Sequence, residues 1–267
     1  MANATLESTL FPVREIPAVG KRLDKIDNNE LYPAIINNSG YKFIVREDTG
    51  EILSCMTDDY RLVSNTQLID TALPVLEKEG AELREVSVFS EGRRTLWRFT
   101  FPNVKVKVDK GDLLNPEVVI INSYDGTAEI KATGGAYRMI CSNGLIIGTI
   151  ISMTKNKHSI WNKNIDSIEE SILNTIKSTK SVMVESFPKL IETKIKRKKD
   201  IESVIKMLPS YTMETLTQYL ISHNPKTYWD LLNALTYIST HHMKRDRGAT
   251  LKLENEIYPS IIRMAKA

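Results

Sequence analysis

The sequence predicts an α+β fold, with a mostly antiparallel β-sheet in the N-terminal and central part and a helical C-terminal region. Three observations predict it. Apolar residues alternate with a period of two through Tyr41–Thr57 and again through Arg93–Val108 and Thr127–Thr133. Asp48-Thr49-Gly50 and Asp125-Gly126 punctuate those stretches with hairpin-turn chemistry. Beyond about Lys157 the apolar period changes to 3.6. A chain of 267 residues can bury a sizeable core of this kind without disulfides.

Residues 1–38 read as an N-terminal arm: Leu10, Phe11, Val13 and Ile16 are isolated among Pro12, Pro17, Gly20 and the polar run DKIDNNELYP. Residues 39–160 form the sheet core with one helix, and residues 161–267 a helical region packed on or beside it. In the core, YKFIVRE and EILSCMT are the arms of a hairpin. A helix follows over NTQLIDTALPVLEKEG, with Asn65 or Thr66 as N-cap and Gly80 as the stop, and Pro74 predicts a kink or an early break. In RRTLWRFTFPNVKVKV, Trp97, Phe99 and Phe101 share one face with Val104, Val106 and Val108. Arg98, Thr100, Lys105 and Lys107 fall on the other, which predicts a hairpin turning at Pro102-Asn103 with a basic, solvated face. EVVIINS is apolar throughout, as a strand covered on both sides requires, and TAEIKAT alternates with Ala128, Ile130 and Ala132 inward.

In the helical region Ser167 and Glu170 have capping-box spacing, and Ile168, Ile172, Ile176, Thr179 and Met183 form a stripe that Pro188 interrupts. KLIETKIKRKKDIESVIKMLP reads as a second helix with a basic middle. METLTQYLISH and KTYWDLLNALTYISTHHMKR read as two more, and ENEIYPSIIRMAKA as a short last one broken near Pro259.

Cys55 and Cys141 have no CxxC or framework spacing, the N-terminus has no basic-then-apolar pattern, and no apolar run approaches about 20 residues. A soluble chain in a reducing cytoplasm is the expectation. Net charge is +3 but uneven: residues 1–150 carry 17 basic against 21 acidic side chains, residues 151–267 carry 19 against 12. The second half is therefore the part that attracts an anionic partner.

The stretch GGAYRMICSNGLIIG concentrates the unusual residues. Arg138 and Cys141 with Asn143-Gly144 fit an anion-binding turn, and equally a strand end closed by a tight turn around a small buried cysteine. Cysteine catalysis would need His158 as base, with no acidic residue evident to orient it. His223, His241 and His242 lack metal-ligand spacing and read as helix-terminal residues meeting the negative end of a helix dipole, so no metal and no cofactor is expected. The run Lys194, Lys196, Arg197, Lys198 and Lys199 reads either as a solvated helix face or as a contact for phosphates, together with Arg98, Lys105, Lys107 and the KRDR at Lys244–Arg247. Trp97, Tyr124, Tyr137 and Trp161 are the aromatic residues near these charges that could stack on bases, although Trp97 has the phase of a core residue.

YRLVSN at Tyr60–Asn65, INSYDGTAEIKAT at Ile121–Thr133, RMICSNGL at Arg138–Leu145, KHS at Lys157–Ser159 and TYWDLLNALTYISTHHMKRDR resemble, in order and spacing, the motifs of the phage/plasmid-like proteins grouped as domain of unknown function 932. The resemblance runs from about residue 40 to the end. It implies a setting in an infected or plasmid-bearing bacterium, and it carries no catalytic residues over. The family pattern of a basic residue, Cys and Asn, then a basic-His pair, is met by Arg138, Cys141, Asn143, Lys157 and His158; Gly144 departs from a threonine-like residue.

These readings lead to an expectation of a non-enzymatic protein of DNA metabolism that binds single-stranded DNA, with an annealing or recombination role and a Rad52-like sheet by fold-level analogy. Its surface would combine Arg98, Lys105, Lys107, Arg138, Lys157, His158 and the Lys194–Lys199 run, made continuous by homo-oligomerisation. The rival expectations are an enzyme acting on nucleotide or nucleic-acid phosphates through Arg138, Cys141 and His158, and an interaction protein that blocks host defence or joins a virion.

Overall fold

The computed structural model describes residues 4–26, 30–36, 40–109, 112–128, 130–138, 144–145, 166–243 and 247–266. It is an α+β fold with antiparallel sheets in the N-terminal and central part and helices in the C-terminal region. In chain order the strands and helices are β1 (Val13–Pro17), β2 (Gly20–Ile26), β3 (Glu30–Ile36), β4 (Tyr41–Arg46), β5 (Ile52–Thr57), α1 (Asn65–Lys78), β6 (Glu82–Phe89), β7 (Arg94–Thr100), β8 (Val106–Asp109), β9 (Asp112–Ser123), β10 (Lys131–Arg138) and β11 (Gly144–Leu145). There follow α2 (Asp166–Glu192), α3 (Lys198–Ile205), α4 (Met213–His223), α5 (Tyr228–His241) and α6 (Arg247–Lys266).

The main sheet runs β11-β10-β9-β7-β6, every pair antiparallel, and a three-stranded sheet β1-β4-β5 stands beside it. The hairpin of Tyr41–Thr57 is present as predicted, whereas the arm is more regular than its sequence suggests. Within residues 1–38, β1 pairs with β4 and β2 with β3. Pro17 and Pro33 broke the alternation there, yet both sit in strands whose pairing is one-sided, where a missing N–H costs no ladder bond.

The turn expected at Pro102-Asn103 is present, closed by Val104 N donating to the Phe101 carbonyl at 3.1 Å, but it does not make a hairpin of the two strands it joins. Both β7 and β8 run antiparallel to β9, opposite Glu117–Ser123 and Asp112–Leu114 respectively. Asn115 holds the turn: its buried amide donates to the Phe101 carbonyl at 3.0 Å and to that of Val104 at 3.1 Å, on either side of Pro102-Asn103.

One face of the main sheet carries Trp97, Phe99, Phe101, Val118, Ile120 and Ala132 into a core with Leu68, Ile69 and Leu76 of α1 and Ile168, Ile172 and Ile176 of α2. Further along α2, Met183, Phe187 and Leu190 enter a second core with α3, α4, α5 and α6, to which Val106, Leu114 and Ala136 contribute from the sheet. At Gly134 the sheet and α2 touch so closely that a Cβ would overlap the Thr179 hydroxyl.

Helix boundaries differ from expectation at each proline. Pro74, Pro188 and Pro259 all lie inside continuous helices. Each forgoes one backbone hydrogen bond, and packing on buried neighbours such as Leu76, Phe187 and Ile261 outweighs that loss. The α1 cap is Ser64, not Asn65 or Thr66: its hydroxyl accepts from Gln67 N while Ser64 N donates to Gln67 Oε1, both at 3.0 Å. Ser167 lies in the first turn of α2 and not at its cap.

Asn65 is excluded from the cap because its side chain is fully buried. Its Nδ2 donates to the Thr9 carbonyl at 2.8 Å, and its Oδ1 accepts from Asn122 Nδ2 at 2.8 Å. Asn122 Nδ2 also donates to the Val63 carbonyl at 3.0 Å, and Trp97 Nε1 to Thr9 Oγ1 at 3.1 Å. Tyr124 Oη accepts from Asn65 N at 2.7 Å, and Tyr60 Oη donates to the Ser123 carbonyl at 3.2 Å. Burial pushes both phenols above their ordinary range, so they remain neutral. Replacing Asn122 with Ala strands the half-buried Val63 carbonyl and the buried partners Asn65 and Ser123. A loss of about 2 kcal/mol in urea unfolding is the expected result.

Candidate nucleic-acid interface

The basic sheet face of the sequence reading does not exist as such. Arg98 is 3% exposed, and its Nη1 meets Glu117 Oε1 at 2.6 Å with its Nε 3.4 Å from Glu85. Arg84 completes the cluster, with Nη2 2.6 Å from Glu117 Oε2; a register shift between Leu83 and Glu85 releases Arg84 from the pleat and turns it onto this face. Leu96, Val119 and Ile121 are buried on the same side. Alternation correctly separated Arg98 from Trp97, but the second face is packed and the cation is neutralised within it. Arg98 therefore leaves the set of residues able to meet a phosphate, and Trp97 and Tyr124, 0% and 1% exposed, leave the set able to stack on a base.

Lys105 and Lys107 do remain at the surface, one on each side of buried Val106. Since Val106 belongs to the helical core, Lys107, next to it in β8, faces away from that core.

Only the last two residues of the Lys194–Lys199 run are helical. Helix α2 ends at Glu192, and residues 193–197 cross in an extended connection before α3 begins at Lys198. This connection is stitched to the α4–α5 turn: Ile195 N donates to the Lys226 carbonyl at 2.9 Å, Tyr228 N donates to the Thr193 carbonyl at 3.1 Å, and Lys194 bridges with Thr227. Extended geometry puts Lys194 and Lys196 on one side, both exposed, with Ile195 packed toward the helical core between them.

Arg197 is a structural residue. Its Nε and Nη2 reach Asp200 at 3.1 and 3.0 Å, and its Nη2 also donates to the Met264 carbonyl at 3.4 Å. Tyr228 Oη donates to the same carboxylate at 2.6 Å. Burial pushes the Asp200 carboxyl up, but the bonds from Tyr228 and Arg197 outweigh it and hold it below the usual carboxylate range. Lys199 is exposed in the first turn of α3, and Lys226 is exposed with its Nζ on Asn224 Oδ1 at 2.9 Å. Among the described residues, no carboxylate pairs with Lys194, Lys196, Lys199 or Lys226.

The structure thus brings Lys194 and Lys196 of the α2–α3 connection, Lys199 of α3 and Lys226 of the α4–α5 turn into a basic ribbon beside the end of α4, with Lys226 opposite Ile195 across the backbone pairing. Lys226 was missed by the sequence reading because it is a single charge in a turn; only the bond to Ile195 brings it next to the run. The family model described as Domain of unknown function (DUF932) matches residues 52–258, most of the chain. The chain belongs to this family. No characterised protein and no solved structure matches it.

Two motifs that carried the resemblance to DUF932 meet in space: YRLVSN and INSYDGT supply Tyr60, Asn65, Asn122 and Tyr124 to the buried hydrogen-bond network, so they act as scaffold of the DUF932 core. Arg138 closes β10 opposite Leu114. Its side chain, the Lys198 side chain, Cys141, Asn143, Lys157, His158 and Trp161 lie outside the described residues, as do Lys244–Asp246. Among the described residues of this DUF932 chain, no group of three His, Cys, Asp or Glu side chains could hold a metal ion, and no helix is long and apolar enough to cross a membrane.

Proposed function

We propose that this DUF932 chain binds single-stranded nucleic acid through its helical half, in a DNA-annealing or recombination role within a mobile-element setting. The observation that carries the reading is the basic ribbon of exposed Lys194, Lys196, Lys199 and Lys226, none of which is salt-bridged to a carboxylate among the described residues. A phosphate chain gains most from cations of this kind, because each contact releases a condensed counterion. The excess of 19 basic over 12 acidic residues in the second half of the sequence acts in the same direction at longer range.

The test is fluorescence anisotropy with a 30-nucleotide oligothymidine over a salt series. Affinity should fall steeply with salt, and the Lys194→Ala/Lys196→Ala/Lys226→Ala variant should reduce the slope of log K against log salt by about 2, at roughly 0.7 per lost phosphate contact. Absent binding at low salt, or affinity indifferent to salt, would sink the reading.

A further inference from the structure

The ribbon binds phosphate by charge alone and gives no account of bases; of the aromatic residues that the sequence offered for them, Trp97 and Tyr124 are core, and the Tyr137 side chain and Trp161 lie outside the described residues. Other rings are available at the surface. Tyr219 and His223 of α4, and Tyr237 and His241 of α5, form a series of rings along the seam between the two helices. The His223 imidazole lies on Tyr219 with centroids 3.9 Å apart and planes 9° from parallel. Tyr219 lies on Tyr237 at 4.8 Å and 29°. Tyr237 in turn meets His241 at 5.0 Å and His242 at 5.2 Å, tilted by 48° and 52°. Both tyrosines rest partly in the helical core, which fixes the middle of the series, while His223 and His241 at its two ends are exposed.

His223 is also oriented within its plane. Its Nδ1 lies 3.0 Å from the Tyr219 carbonyl and 2.9 Å from Ser222 Oγ, and these two contacts fix the rotation of the ring. Three residues further along the chain is Lys226, whose carbonyl accepts from Ile195 between Lys194 and Lys196. Oriented flat rings and unneutralised cations therefore share one turn.

We infer that this ring ladder is a stacking platform for the bases of single-stranded nucleic acid whose phosphates lie on Lys194, Lys196 and Lys226. The inference rests on the nucleic-acid reading above. The chemistry favours a nucleobase chain over the other anionic polymers: an acidic peptide would use the lysines but has no flat face for the rings, whereas every base has one. Stacking without a base-specific hydrogen-bond pattern also implies tolerance of sequence.

The test compares the full chain with its His223→Ala, His241→Ala and His223→Phe variants, on oligothymidine and on an abasic oligonucleotide of the same length. Both alanine variants should bind oligothymidine about fivefold or more weakly, with the salt slope and the abasic affinity unchanged, and His223→Phe should retain wild-type affinity. Should the alanine variants bind oligothymidine as the parent does, or lose abasic affinity equally, stacking is overturned and phosphate binding stands. If the parent binds neither oligonucleotide, the nucleic-acid reading and the platform fall together.

Discussion

Replacing Glu117 with Ala should cost about 3–5 kcal/mol of stability, read as a fall in the urea midpoint at unchanged slope. The carboxylate is fully buried and takes charge-assisted bonds of 2.6 Å from both Arg98 and Arg84. Without it Arg98 loses its 2.6 Å bond and keeps the longer contact with Glu85, at 3.4 Å, in a site with almost no access to water. An uncompensated buried cation is far more costly than the same volume of apolar side chain. The double variant Arg98→Met/Glu117→Leu should accordingly recover most of the loss, since it removes both charges together. A loss below about 1 kcal/mol in Glu117→Ala would show instead that water reaches this face.

The second large effect is expected at Gly134. A Cβ there would overlap Thr179 Oγ1 and come within 3.0 Å of Thr179 Cβ. Thr179 cannot simply turn away, because its hydroxyl is held by the Thr175 carbonyl at 2.6 Å and its side chain is buried. Gly134→Ala must move α2 off β10, at a cost of about 3 kcal/mol, near the upper end for overpacking. Adding Thr179→Ala removes the hydroxyl but not the Cβ contact, so it should return part of the loss in thermal unfolding and not all of it.

Legibility in the sequence followed how local each cause was. Alternation identified β7, and the continuous apolar run Val118–Ile121 correctly marked β9 as covered on both sides, but the strand expected over Thr127–Thr133 runs instead from Lys131 to Arg138, with Ala128 packed beside Leu96 and Ile121 and not with Ile130 and Ala132. Arg98 shows the limit: its phase was readable, but whether the second face meets water or Glu117 is decided by a residue on another strand. The basic run failed as a helix for the same reason, since the bonds that hold it extended come from residues 226–228. Pro74, Pro188 and Pro259 were overestimated as breakers because tertiary burial is invisible in a local pattern.

The candidate site was half visible. The lysine run was conspicuous, while Lys226 and the ring ladder were not. One signal for the ladder does exist in the sequence: Tyr219 with His223 and Tyr237 with His241 both have the i, i+4 spacing that stacks side chains on one helix face. What the sequence withholds is that the two pairs face each other.

Helix α2 belongs to two cores at once, giving Ile168, Ile172 and Ile176 to one and Met183, Phe187 and Leu190 to the other. It therefore works as a common beam. A weakness in either half loosens the ground on which the other is built, so the stability of the sheet and that of the proposed binding surface are pooled in a single rod of chain.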